Sequence, residues 1–219
     1  IVLILLATSC HTQPPCQVPC TNTKVVACVE ADTHSFWAVV CCASPRAAKL
    51  APLLNALGQP VWLAGFHSGA LVVMEMVKHY SEQVSGLVLV DVPVFSGPEM
   101  ADSRESLTKP PNYLEQEDPL NGLFKAMVAD RLDRVAYPRA LDLFFDFLGA
   151  GEARNAGYHA AANFEAEAAA TQVAQPALVI ATHSSLRDGT LKVADWLPQA
   201  KLVECDDIIM PAFELGAES

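Results

Sequence analysis

The sequence predicts an α/β fold, a doubly wound and mostly parallel sheet with an inserted helical lid. Three observations carry this expectation. Short aliphatic runs recur without period-two alternation, as strands covered on both faces require. Helical stretches separate several of them at the spacing of crossover units. Between Pro98 and about Gln172 the strand signals stop and helical ones follow one another.

Ile1 to Ala7 is a continuous aliphatic run, read as a buried parallel strand. Residues 10–23 form a connection rich in Pro, Cys and Thr, and Lys24 to Glu30 is a second aliphatic strand. Residues 45–57 have helical character and stop at Gly58. Pro45 can open that helix because its missing N–H is unpaired there anyway. Pro52, inside it, conflicts with the assignment. Val61 to Ala64 is a strand, Ala70 to Tyr80 an apolar helix and Gly86 to Asp91 the next strand. Leu120 to Val135, Pro138 to Leu148 and Glu152 to Ala170 follow as helices. Ala177 to Ala181 resumes the sheet, a short helix covers Leu191 to Leu197, and Lys201 to Cys205 is the last strand. The expected division is a core of residues 1–97 and 173–219, with residues 98–172 as the lid.

The 219 residues suffice for one well-buried domain. Hydrophobic residues make up 52% and charged residues 18%, so much of the chain is expected inside its own core or against neighbours. The net charge of −11 repels phosphate backbones and argues against nucleic acid as a partner. The first apolar run is seven residues, too short for a bilayer span of ~20. Of the seven cysteines, Cys28, Cys41 and Cys42 sit in apolar runs and read as reduced core residues. Cys10, His11, Cys16 and Cys20 invite a zinc reading, but their spacing matches no standard site and three prolines interrupt them. A plain loop is expected, with no metal and no cofactor.

The informative stretch is residues 61–91, Val-Trp-Leu-Ala-Gly-Phe-His-Ser-Gly-Ala and onward to Ser-Gly-Leu-Val-Leu-Val-Asp. Gly65 and Gly69 flank His67 two residues before and two after. This stretch resembles, without a gap, the strand, nucleophile elbow, helix and following strand of the α/β-hydrolase superfamily. A histidine stands where the superfamily has its catalytic serine. Reading Ser68 as the nucleophile would put Phe66 where the turn needs a small residue. The Gly-Phe-His-Ser-Gly-Ala motif, with Val-Pro-Val-Phe-Ser-Gly-Pro-Glu-Met after it, also resembles hydrolase-like proteins with a His-Thr/Ser-Gly-Ala elbow.

The resemblance implies a nucleophile, an acid and a histidine in that chain order. The acid position, after the strand at 177–181, reads Thr182-His183-Ser184-Ser185-Leu186, and no carboxylate comes before Asp188. The histidine position, after the last strand, falls on Ile209, and no histidine follows His183. The oxyanion loop after the first strand reads Thr8-Ser9-Cys10 rather than a His-Gly type. Asp91 is a substitute acid or a structural residue, and His183 and His159 read as polar surface unless they reach the elbow. Phe144, Phe145 and Phe147 read as the buried face of an amphipathic helix rather than a lipid cavity.

With four requirements unmet, the expectation is a catalytically inactive member with no catalytic residue. It would be kept as an accessory subunit among other protein subunits of a larger assembly. The missing initiator Met and reduced thiols point to an intracellular, mitochondrial location. The rival expectation is an atypical hydrolase of small or lipid-like esters, working through His67 or Ser68 with Asp91 and His183.

Overall fold

The computed structural model describes residues 2–8, 23–30, 51–95, 101–102, 105, 117–149 and 153–209. Six strands form one sheet in the order β2-β1-β3-β4-β5-β6. They are β1 (Val2–Thr8), β2 (Thr23–Glu30), β3 (Val61–Phe66), β4 (Val84–Val90), β5 (Ala177–His183) and β6 (Ala200–Ile209). The described helices are α1 (Ala51–Leu57), α2 (Ser68–Tyr80), α3 (Glu117–Met127), α4 (Tyr137–Gly149), α5 (Ala153–Ala162), α6 (Ala166–Ala170) and α7 (Arg187–Trp196).

Strands β3 to β6 are parallel, as expected. Strand β1 is not, because it runs antiparallel to both β2 and β3. Its unbroken aliphatic composition carries no information about strand direction. An antiparallel pair needs no helical crossover, which suits a proline-interrupted connection. Pro52 also proves compatible with its helix. It lies within the described part of that helix, α1.

The core forms around α2. Leu71, Val72, Val73, Met74, Met76 and Val77 are all buried, so this helix is apolar on nearly every side. It packs between the sheet and the alanine faces of α5 and α6, where Ala161, Ala166, Ala169 and Ala170 join the same cluster. Small side chains let these helices approach closely. Each fully buried Leu, Val or Met here contributes about 1.5–3 kcal/mol. The charged end of α2 faces water, with Glu75 bonded to Lys78 Nζ at 2.9 Å and to His79 Nε2 at 3.3 Å.

Trp62 and Gly86 face each other across β3 and β4. A Cβ on Gly86 would lie 2.6 Å from Trp62 Cη2. Gly86→Ala is therefore expected to displace the indole and cost about 1–3 kcal/mol. Chemical denaturation and a shift in tryptophan emission would register it, and an unchanged emission maximum would refute the contact.

Two long helical expectations are divided. The segment from Leu120 to Val135 becomes α3 and a 3-10 turn at Ala129–Arg131. The alanine-rich segment breaks at Asn163–Glu165 between α5 and α6. Helices α3 and α4 pack on each other through a separate small cluster of Val128, Val135, Ala140 and Phe144. Phe124 meets Phe144 edge to face at 5.5 Å. Of the three phenylalanines expected on one buried face, Phe144 is buried, Phe147 half-buried and Phe145 60% exposed. Successive helix positions are 100° apart, so Phe144 and Phe145 cannot both face inward. No described helix is long and apolar enough to cross a membrane.

Candidate active site

Strand β3 delivers the chain to a tight turn at His67, and α2 leaves it at Ser68. His67 has φ 54° and ψ −127°, a conformation outside the small left-handed helical region that side-chain-bearing residues tolerate. Such a residue costs on the order of 1–3 kcal/mol and persists only where its surroundings over-determine it. Here the His67 N–H donates to the Val90 carbonyl at 2.9 Å, and its own carbonyl accepts from the Ala70 N–H at 2.9 Å. Gly65 makes the turn possible. A Cβ there would sit 2.4 Å from the Gly69 carbonyl oxygen. The strained position is His67 and not Ser68, which is the first residue of α2 and half-buried.

The imidazole lies against Phe66, with ring centroids 4.4 Å apart. Its Nε2 is buried and has no hydrogen-bond partner among the described residues. Burial disfavours the imidazolium and pushes the pKa below the ordinary 6.5, and the Asp91 carboxylate partly opposes this. The site therefore holds a neutral imidazole with an uncommitted ring nitrogen. The first N–H groups of α2 lack partners within the helix and add positive potential beside it.

Asp91 follows β4 at the neighbouring position, since Phe66 pairs with Val90. It is fully buried and also has positive φ, 48°. Both carboxylate oxygens are engaged by β5. Oδ1 accepts from the Thr182 N–H at 2.9 Å, and Oδ2 accepts from the Thr182 hydroxyl at 2.6 Å. The Asp91 N–H donates to the Ile180 carbonyl at 3.1 Å. The Thr190 hydroxyl of α7 accepts from the Val92 N–H at 2.8 Å and donates to the Leu186 carbonyl. Asp91 thus joins the ends of β4 and β5. Thr182 and Thr190 were not singled out from sequence. Their signal was a hydroxyl ending a strand run and another inside an apolar helix face.

No family model matches the chain, and no curated protein matches it in sequence. Solved structures do. A hydrolase from Pseudomonas aeruginosa PA01 superposes with TM-score 0.60 at 18% identity, over 80% of this chain and 68% of that one. The esterase EaEST from Exiguobacterium antarcticum gives 0.59 at 14%, over 76% and 66%. MGS-M2, an alpha/beta hydrolase from a Medee basin deep-sea metagenome library, gives 0.51 at 18%, over 73% and 62%. The fold is that of the α/β-hydrolases. The chain spans about two thirds or less of the length of these three structures.

Within the α/β-hydrolase fold, His67, Asp91 and His183 all lie at the carboxyl edge of parallel strands, where ligands of open α/β sheets bind. His67 and Asp91 sit on adjacent strands, ~4.8 Å apart in the pairing direction. His183 ends β5 and is exposed, one residue past Thr182. His159 is exposed on α5. The turn after β5 is closed by Ser184, whose Oγ accepts from the Leu186 N–H at 3.3 Å, and Asp188 is exposed on α7.

The last strand exceeds its expected end at Cys205. β6 continues to Ile209, with a bulge where His183 pairs with Ile209 and Thr182 with Cys205. Arg187 bridges Glu204 and Asp206, which neutralises part of the acidic run on this strand. Ile209 thus lies in a strand rather than in a loop. The Cys10–Cys20 segment, the oxyanion loop after β1, and Met210 onward lie outside the described residues. Among the described residues no cluster of three or more His, Cys, Asp or Glu could hold a metal ion.

Proposed function

We propose that the chain is an atypical acyl hydrolase whose reactive group is His67. One observation carries the reading: a strained, non-glycine turn residue presents a buried imidazole nitrogen with no partner. A serine hydroxyl needs a base to become a nucleophile, and hence a histidine and an acid. A neutral imidazole needs neither. The loss of the acid after β5 and the histidine after β6 is then compatible with chemistry at the elbow.

In this reading a donor that gains access to Nε2, enclosed in the resting fold, is attacked at its acyl carbon by the lone pair, and the C=O electron pair moves to oxygen beside the α2 N-terminus. Collapse expels the leaving group, which ends protonated from water. The acyl-imidazolium loses its Nδ1 proton to water. Water then attacks the acyl carbon and releases the acid and free imidazole. The solved structures sharing the fold include a hydrolase and an esterase, which supports this class of reaction.

The test is turnover of p-nitrophenyl acetate by the whole chain. His67→Asn removes the imidazole while keeping a polar side chain, and is expected to lose activity by about 10² or more. The imidazole must be neutral to attack. Activity should therefore rise with pH, with a midpoint below 6.5, and stay flat through neutrality. Rapid acid quench should leave the acyl mass on the peptide holding His67. Fluorophosphonate labelling abolished by Ser68→Ala would instead assign the nucleophile to Ser68 and overturn this reading.

A second reading, a non-catalytic subunit of a larger assembly, is favoured by one observation. The Asp91 carboxylate accepts from Thr182 through both oxygens, as a structural link between β4 and β5 would. No His67-dependent turnover, together with migration in a large complex from source material, would support it.

A further inference from the structure

Resting on the acyl-hydrolase reading, we infer that Phe66 is a positioning residue for His67, its ring being the platform that fixes the plane of the imidazole. The backbone comes first. Along an extended strand consecutive side chains point to opposite faces, so neighbouring rings do not meet. Strand β3 keeps that alternation to its end, with Val61, Leu63 and Gly65 buried and Trp62, Ala64 and Phe66 half-buried. His67 breaks it. At φ 54° and ψ −127° it leaves the extended conformation, and its imidazole lies against the Phe66 ring. The centroids are 4.4 Å apart and the planes are tilted by 51°. That separation is at the short limit for aromatic pairs, which run from about 4.5 to 7 Å. The ring contact and the positive φ are thus two consequences of one turn.

Both rings are tied to one point of the sheet. Phe66 pairs with Val90 in the parallel ladder, and the His67 N–H donates to the Val90 carbonyl at 2.9 Å. Gly65, one residue earlier, is packed against the backbone at the start of α2. The platform therefore belongs to the rigid sheet and keeps its place relative to the His67 backbone. The ladder uses only the backbone of Phe66, so the aromatic ring is free to serve the turn.

The plane of the imidazole matters because the nitrogen lone pair lies in it. Attack on an acyl carbon requires the carbonyl to meet that lone pair nearly in plane. The imidazole turns about two bonds, and either rotation swings the lone pair off line. A reacting group has to be held within about 10–20° of its productive geometry. In a serine triad a carboxylate holds the histidine plane through a hydrogen bond. At this elbow the face of Phe66 holds it through ring contact.

The experiment compares the whole chain with Phe66→Leu and Phe66→Tyr in p-nitrophenyl acetate turnover, with His67→Asn as the baseline. Leucine keeps apolar bulk and has no flat face, whereas tyrosine keeps the face. Phe66→Leu is expected to lower the His67-dependent kcat about 3- to 10-fold at nearly constant KM, the range an aromatic pair is worth. Phe66→Tyr should recover most of that loss. A second measurement is independent of turnover. The Phe66 ring current should shift the His67 ring protons in the proton NMR spectrum, where His67→Asn identifies them by their loss. The shift should vanish in Phe66→Leu and return in Phe66→Tyr, with the urea midpoints of both close to the parent. Parental kcat in Phe66→Leu, or equal losses in both variants, would overturn the inference and leave the hydrolase reading intact. Unshifted His67 ring protons in the parent would do the same. No His67-dependent turnover would overturn both.

Discussion

Gly65→Ala is expected to destabilise the protein by about 3 kcal/mol or more, or to open the elbow. The added Cβ would lie 2.4 Å from the Gly69 carbonyl oxygen, 2.5 Å from its carbon and 2.6 Å from Ala70 N. All three are backbone atoms, so no side-chain rotation relieves the collision. Relief requires β3 and α2 to separate, and α2 is the helix around which the core is built. Urea denaturation measures the loss. Gly122→Ala is the matched control. It lies in α3 with nothing within 4 Å of an added Cβ, so it should be neutral or stabilising by about 0.5–1 kcal/mol. A Gly65→Ala protein within about 0.5 kcal/mol of the parent would contradict the close approach at the turn.

Asp91→Ala is expected to cost about 3 kcal/mol, and Asp91→Asn much less. Alanine strands the buried Thr182 N–H and hydroxyl and tolerates φ 48° poorly. Asparagine tolerates that φ, keeps an acceptor for the N–H, and can donate to the Thr182 hydroxyl once the hydroxyl turns to accept. The pair also separates scaffold from chemistry. The Asp91 charge raises the pKa of His67 against the larger lowering by burial. Removing the charge in Asp91→Asn should move the midpoint of the activity profile further down in pH while the fold persists. Equal destabilisation by both replacements would remove the hydrogen-bonding account.

His67 also links stability to pH. Its folded-state pKa is lowered, so the unfolded chain takes up the proton first. The contribution of the neutral, buried imidazole is complete above about 6.5 and is lost as pH falls from there toward the lowered value.

Much of the core was legible because its signals are local. Gly65 and Gly69 around His67 imply a crowded turn by themselves, and the gapless run from Val61 to Asp91 sets the order of strand, helix and strand. Other features depend on neighbours distant in sequence. An aliphatic run such as Val2–Thr8 has the same composition whether its partner runs up or down, so the antiparallel pairing of β1 could not be read from it. Phe145 looks as apolar as Phe144, and only the packing of α3 on α4 separates them.

The sequence by itself determined the fold class and the position of the elbow. These follow from residue types, spacing and order along the chain. Only the tertiary structure decided what His67 and Asp91 are. Burial keeps the imidazole neutral and leaves its Nε2 unpartnered, and Thr182, 91 residues away, claims the carboxylate. Desolvation and hydrogen-bond partners belong to the assembled interior, which is why the same histidine read as a lost serine in sequence and as a candidate nucleophile in the fold.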